Sequence, residues 1–142
     1  MKPQTILFTL AVAALAAAAG WMAHGASVQA ASKNVYEIRT YTCEPGRLPN
    51  LLARFRDHTT KLFEKHGMTN VGYWVPADGP LHENTLIYIL AHKNRDAAKK
   101  SWDAFRADPA WIAARTASEA SGKIVTKAES VYMDATDFSK LQ

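Results

Sequence analysis

A chain of 142 residues with a formal net charge of +4 and 48% hydrophobic residues has room for a leader and one domain, not for two domains. Its cations are scattered, with no block of like charge and no glycine-aromatic RNA signature, which excludes a nucleic-acid partner. The single cysteine, Cys43, excludes an intrachain disulfide, so the fold must rest on packing or association.

Residues 1–30 read as a secretory signal peptide. Lys2 stands near the start, Ile6–Ala23 is almost wholly apolar, and Val28-Gln29-Ala30 offers the small residues a signal peptidase requires. Cleavage is expected after Ala30, leaving a secreted or periplasmic domain over residues 31–142. Lys2 is the only charged side chain of the leader, so that domain carries +3. An uncleaved anchor is the rival reading, since the apolar run nears the ~18 residues of a membrane-spanning candidate. Thr9, Gly20 and the many alanines make it weakly hydrophobic, and a membrane contact is expected only if the leader is retained.

The first element of the domain is the strand opening V-Y-E-I-R-T-Y-T-C. Alternation puts Tyr36, Ile38, Thr40 and Thr42 on one face and Val35, Glu37, Arg39, Tyr41 and Cys43 on the other. Pro45-Gly46 stops it. Neither face is cleanly polar, so the strand is expected to be covered on both sides, one of them lining a cavity. The period then changes to that of a helix close to Arg47–His66, with Leu48, Leu51, Leu52, Phe55, Thr59, Leu62, Phe63 and His66 on one stripe. Arg54, Arg56, Asp57 and Lys61 take the other faces. Pro49 is tolerated in the first turn, and Gly67 permits a left-handed end.

Strand composition returns over Met68–Pro76, and Asp78-Gly79-Pro80 marks a turn. Thr85–His92 is so uniformly apolar that it reads as a strand buried on both faces. Asn94 is placed to cap a second helix whose stripe is Ala98, Trp102 and Phe105. Asp108-Pro109 caps and starts another, running to about Ser121, with Gly122 behind it. Trp102, Phe105 and Trp111 are assigned to its core. Ile124–Met133 is the last strand, before a short tail.

The order is therefore β-α-β-β-α-β, which specifies an α+β, ferredoxin-like antiparallel sheet with helices on one face. Tyr41, Trp74, Tyr88 and the apolar third strand suggest that the other face is dry. An apolar sheet face meets a partner, and the economical arrangement is a homodimer, sheet against sheet, as a dimeric α+β barrel. The strand Y-E-I-R-T-Y-T, the Pro45-Gly46 stop, His66-Gly67, Gly72-Tyr73-Trp74 and Asp108-Pro109-Ala110-Trp111 together resemble the NIPSNAP family over essentially the whole domain. The resemblance implies a ferredoxin-like fold and dimerisation. It implies no particular reaction, since the family has no generally established catalytic residue set. Its members are linked to vesicle trafficking and mitochondrial quality control in eukaryotes, a setting from which a bacterial-style export signal departs.

Glu37, Arg39 and Tyr41 share one strand face and so can bring a carboxylate, a guanidinium and a phenol to one cavity. The competing reading is a buried ion pair with a tyrosine packed in the dimer core. Trp74 and Tyr88 are candidate apolar walls, and His92, ending the third strand, is a candidate for the rim. His58 and His66 lie eight apart and cannot chelate one ion, and no H-x-x-x-H or C-x-x-C pattern occurs, so no metal is expected. No glycine-rich phosphate loop and no G-x-S-x-G elbow is present, so no cofactor and no serine nucleophile are expected. Three functions fit these residues: a homodimer binding a small apolar or aromatic molecule, an interaction module, or a cofactor-independent oxygenase or isomerase acting on a small aromatic or polyketide-like substrate. The last rests on analogy of fold alone.

Overall fold

The computed structural model describes residues 34–141, so the signal expected over residues 1–30 lies outside the described residues. Four strands, β1 (Val35–Cys43), β2 (Thr69–Trp74), β3 (Thr85–His92) and β4 (Val125–Asp134), form one sheet in the order β2-β3-β1-β4. The pairings of β1 with β3, β1 with β4 and β2 with β3 are all antiparallel. Helices α1 (Leu48–Arg54), α2 (Thr60–Lys65), α3 (Arg95–Ala107) and α4 (Pro109–Ser118) cover one face of it. This is the α+β, ferredoxin-like arrangement the element order specifies.

The first helical region departs from a regular helix in the middle. Between α1 and α2 the chain makes a π turn over Phe55–Thr59, in which the Thr60 N–H donates to the Phe55 carbonyl. The cause is in the spacing of its buried residues. Leu51, Phe55, Thr59 and Phe63 follow at steps of four and are all buried. In an α-helix a step of four overshoots a turn by about 40°, and the wider turn takes up that surplus. The same shift buries two neighbours in sequence, Arg54 and Phe55. Arg54 is therefore inside, not on the outer faces where a regular period places it.

Phe63 stands at the centre of an aromatic core, with ring centroids 5.4 Å from Trp102 and 4.9 Å from Phe105. Tyr88, on β3, sits 5.2 Å from Phe55 and joins this core from the sheet. The third strand is covered on one face by these groups. On the other face Ile87 and Ile89 are half-buried, next to Ile38 and Val131 in the register. Trp74 and Val131 there are 51% and 58% exposed, so within one chain this face is open, unlike the two-sided burial expected from composition. The Trp74 indole lies over Gly72, where an added Cβ would come within 2.5 Å of the ring.

The caps fall where the residues place them. Asn94 accepts from the Ala97 N–H at 2.8 Å and Asp108 from the Ala110 N–H at 2.8 Å. Gly67 is left-handed, with φ +76°, directly behind the His66 end of α2. α4 stops at Ser118, short of the expected Ser121. Asp108 does more than cap: its Oδ2 accepts from Lys65 Nζ and His66 Nε2, both at 2.7 Å, which ties the end of α2 to the α3–α4 corner. Those hydrogen bonds, Lys65 first, and the Ala110 N–H hold its carboxyl well below the usual range. Thermal midpoints should fall in the order wild type, Asp108→Asn, Asp108→Ala, because the amide can keep the cap while losing the carboxylate's hold on Lys65 and His66. Equal midpoints for all three would show that the corner is held by packing alone. Trp111, expected in the core, is only half-buried, tilted against Phe105 with ring centroids 4.5 Å apart, and lines a cavity.

Candidate functional site

The helix-covered face of β1 carries Glu37, Arg39 and Tyr41 beneath α3 and α4. Register decides their company: Glu37 pairs with Leu90 and Tyr132, and Arg39 with Tyr88 and Ser130. Glu37 is 1% exposed and accepts four hydrogen bonds. Its Oε2 receives His92 Nε2 at 2.9 Å and Trp102 Nε1 at 2.7 Å. Its Oε1 receives Arg39 Nη1 and Ser130 Oγ, both at 2.6 Å. Burial alone would raise its pKa, but the bonds from His92, Ser130, Trp102 and Arg39 outweigh it and hold the carboxyl down to about 2. Such a carboxylate has no lone pair left for a proton from a substrate. It holds Arg39 and Trp102 in place.

Arg39 is clamped edge and face. One nitrogen meets Glu37, and the guanidinium lies over the Trp102 ring at 4.3 Å and toward Tyr41 at 5.5 Å. Two cavities open on either side of it and share Arg39, Trp102 and Arg106 in their walls. The first, about 410 Å³, lies between β1, β4 and α3, with Arg95, Lys99, Ser130 and Tyr132 among its lining. Arg95 stacks on Tyr132 at 3.7 Å. The second, about 320 Å³, runs under the α3–α4 corner and is walled by Tyr41, Phe105 and Trp111. Both volumes suit a small organic molecule.

Of the six residues proposed from sequence, Glu37, Arg39 and His92 come together directly. His92 is 2% exposed and stands behind Glu37, not at a rim. Tyr41 lines the second cavity. Tyr88 is fully buried, and burial pushes its phenol pKa well above the ordinary value; it supports the floor beside Tyr41 and lines neither cavity. Trp74 points from the opposite face of the sheet, because it is one residue out of phase with Tyr73, which stacks on Tyr88 at 5.4 Å. The expected grouping of Tyr41, Tyr88 and Trp74 on the open face, and of a tyrosine in a dimer core, is corrected on the same ground: both tyrosines lie under the helices.

Sequence reasoning passed over Trp102, Ser130, Tyr132 and Arg54. Trp102 reads as a core residue on its helical stripe, and it is one (6% exposed), yet its indole N–H serves Glu37. Ser130 and Tyr132 alternate along β4 on the same face, but which β1 residues they meet follows from a register no local pattern carries. Among the described residues no three of His, Cys, Asp and Glu stand close enough to hold a metal ion.

A ferredoxin-like sheet with a buried arginine, a saturated carboxylate and an aromatic-walled cleft under its helices defines an α+β domain of the kind found in dimeric α+β barrel proteins. The NIPSNAP family pattern matches residues 36–140, and the chain belongs to that family. It is similar to a NIPSNAP family protein of unknown function from Agrobacterium tumefaciens, at 27% identity over 78% of this chain and 96% of that one, with a TM-score of 0.68. An uncharacterized NIPSNAP-like domain protein from Burkholderia xenovorans shares the fold at 15% identity, 76% and 90% coverage and a TM-score of 0.66. SnoaB, a cofactor-independent oxygenase from Streptomyces nogalater, shares it at 16% identity, 76% and 98% coverage and a TM-score of 0.52. No protein in the curated set matches the sequence.

Proposed function

We propose that this protein is an exported homodimeric binding module that takes a small aromatic or apolar molecule into the cleft beside Arg39 and Trp102. The carrying observation is the pair of cavities that meet at a fixed cation stacked on an indole. A preorganised cation with aromatic walls binds a flat ligand without having to order itself first. Export is supported by the pattern of residues 1–30. Dimerisation is supported by the open sheet face, where Trp74, Ile87, Ile89, Ile38 and Val131 leave an apolar surface that a second copy would cover.

An oxygenase or isomerase reading has the fold of SnoaB in its favour. The carboxylate counts against it, since all four acceptor positions of Glu37 are taken and it is not poised as a base. Native mass spectrometry of the exported protein tests the binding reading by reporting subunit number and retained ligand together. The expected spectrum is a dimer beginning at Ala31 with a small molecule bound. Arg39→Met should lose that molecule and fold with reduced stability, since Glu37 keeps three donors but loses its cation. An Arg39→Met protein that retains it, or a wild type that is monomeric and empty, would defeat the proposal.

A further inference from the structure

We propose that the cavity under the α3–α4 corner is an anion subsite that takes the carboxylate of a planar aromatic acid between Arg39 and Arg54. The inference rests on the small-molecule reading and narrows its ligand. Both guanidinium groups line this cavity and both are set into the protein, with 17% of the Arg39 side chain and 3% of the Arg54 side chain exposed. Each meets a carboxylate at one nitrogen only, Glu37 at 2.6 Å from Arg39 Nη1 and Glu119 at 3.2 Å from Arg54 Nη1. Arg54 Nη1 also reaches Ser118 Oγ at 3.2 Å. In both residues the Nε–H is buried without an acceptor among the described residues. Each guanidinium also lies against an indole, Arg39 over Trp102 at 4.3 Å and Arg54 over Trp111 at 5.3 Å. Two arginines in the same wall are thus held by one edge and one face and keep donors unmet.

Guanidinium donors match the two oxygens of a carboxylate in parallel. Arg106, which meets Asp103, and Arg115 line the same cavity, and Glu119, shared by Arg54 and Arg115, is the one carboxylate in that lining, so the lining favours an anion. The other walls decide which anion. Tyr41, Phe105, Trp111 and Val125 are apolar surfaces that an inorganic phosphate or a sugar acid would leave wet, whereas a ring would cover them. Arg54 is present in this wall because of the π turn, which buries it beside Phe55 where a regular helix would turn it outward.

The probes are 2-naphthoate and its methyl ester, a neutral counterpart of the same ring, titrated into the full exported chain and followed by tryptophan fluorescence and calorimetry. The acid should bind at least about tenfold more tightly than the ester, the difference expected of one charge-assisted contact. Arg54→Met should erase that preference, so that acid and ester bind the variant equally. If acid and ester bind the wild type equally, or if Arg54→Met keeps the full preference, the anion subsite is wrong while the small-molecule cleft stands. If neither probe binds at millimolar concentration, both readings fail. The wild-type comparison needs no variant, so it decides the matter even where Arg54→Met does not fold.

Discussion

Glu37→Gln is expected to destabilise the fold by about 3–5 kcal/mol, the range for breaking a buried charge pair by removing one partner. The amide keeps the shape of the side chain. It presents an NH₂ to two of the four donors now aimed at the carboxylate, and it leaves the Arg39 cation with no counterion. The same group gives the wild type a pH signature. The folded carboxyl is lowered to about 2 from an ordinary 4.5, so its contribution is fully present above pH 4.5 and is lost as the pH falls toward 2. That difference corresponds to about 3 kcal/mol. Urea unfolding at neutral pH and at successively lower pH should show the wild type losing stability through this window, with the Gln variant flatter across it. Coincident neutral-pH midpoints for the two proteins would mean that the four-bond cluster does not hold the fold.

Trp102→Ala should cost about 3–5 kcal/mol, as for large aromatic truncations in a packed core. The indole packs on Phe63 and Phe105, at 5.4 Å and 5.6 Å between centroids, and donates to Glu37. Trp102→Phe separates the two roles. It keeps most of the packing and leaves one acceptor of Glu37 unmet, which costs about 1–3 kcal/mol. It also gives Arg39 a smaller, less electron-rich face to stack on. Denaturation midpoints should therefore rank wild type above Phe and Phe above Ala. A Phe variant as stable as the wild type would reduce Trp102 to a core residue with no share in the cleft.

Much of the site's chemistry was legible in one strand. Glu37, Arg39 and Tyr41 alternate, so any covered sheet puts them on one face, and the Asp108-Pro109 and Asn94 caps follow from side chains that satisfy helix N–H groups within three residues. Arg54 shows why the rest was not. A regular period turns it outward, and only the demand of Leu51, Phe55, Thr59 and Phe63 to share one buried line brings it in. Trp74 failed for a different reason: its face is fixed by strand phase, but which face of the sheet the helices cover is not.

The sequence by itself determined the order of the elements, the capped starts of α3 and α4 and the α+β class, because period, turn residues and caps act over a few positions along the chain. It also determined that a carboxylate and a guanidinium would stand on one side of β1. Tertiary structure alone decided that this is the helix side, that His92, Trp102 and Ser130 complete the shell of Glu37, and that two stacked arginines share a wall. The physical reason is distance along the chain. Trp102 and Ser130 lie 65 and 93 residues from Glu37, and only strand register and helix packing bring their donors within hydrogen-bonding reach of one carboxylate.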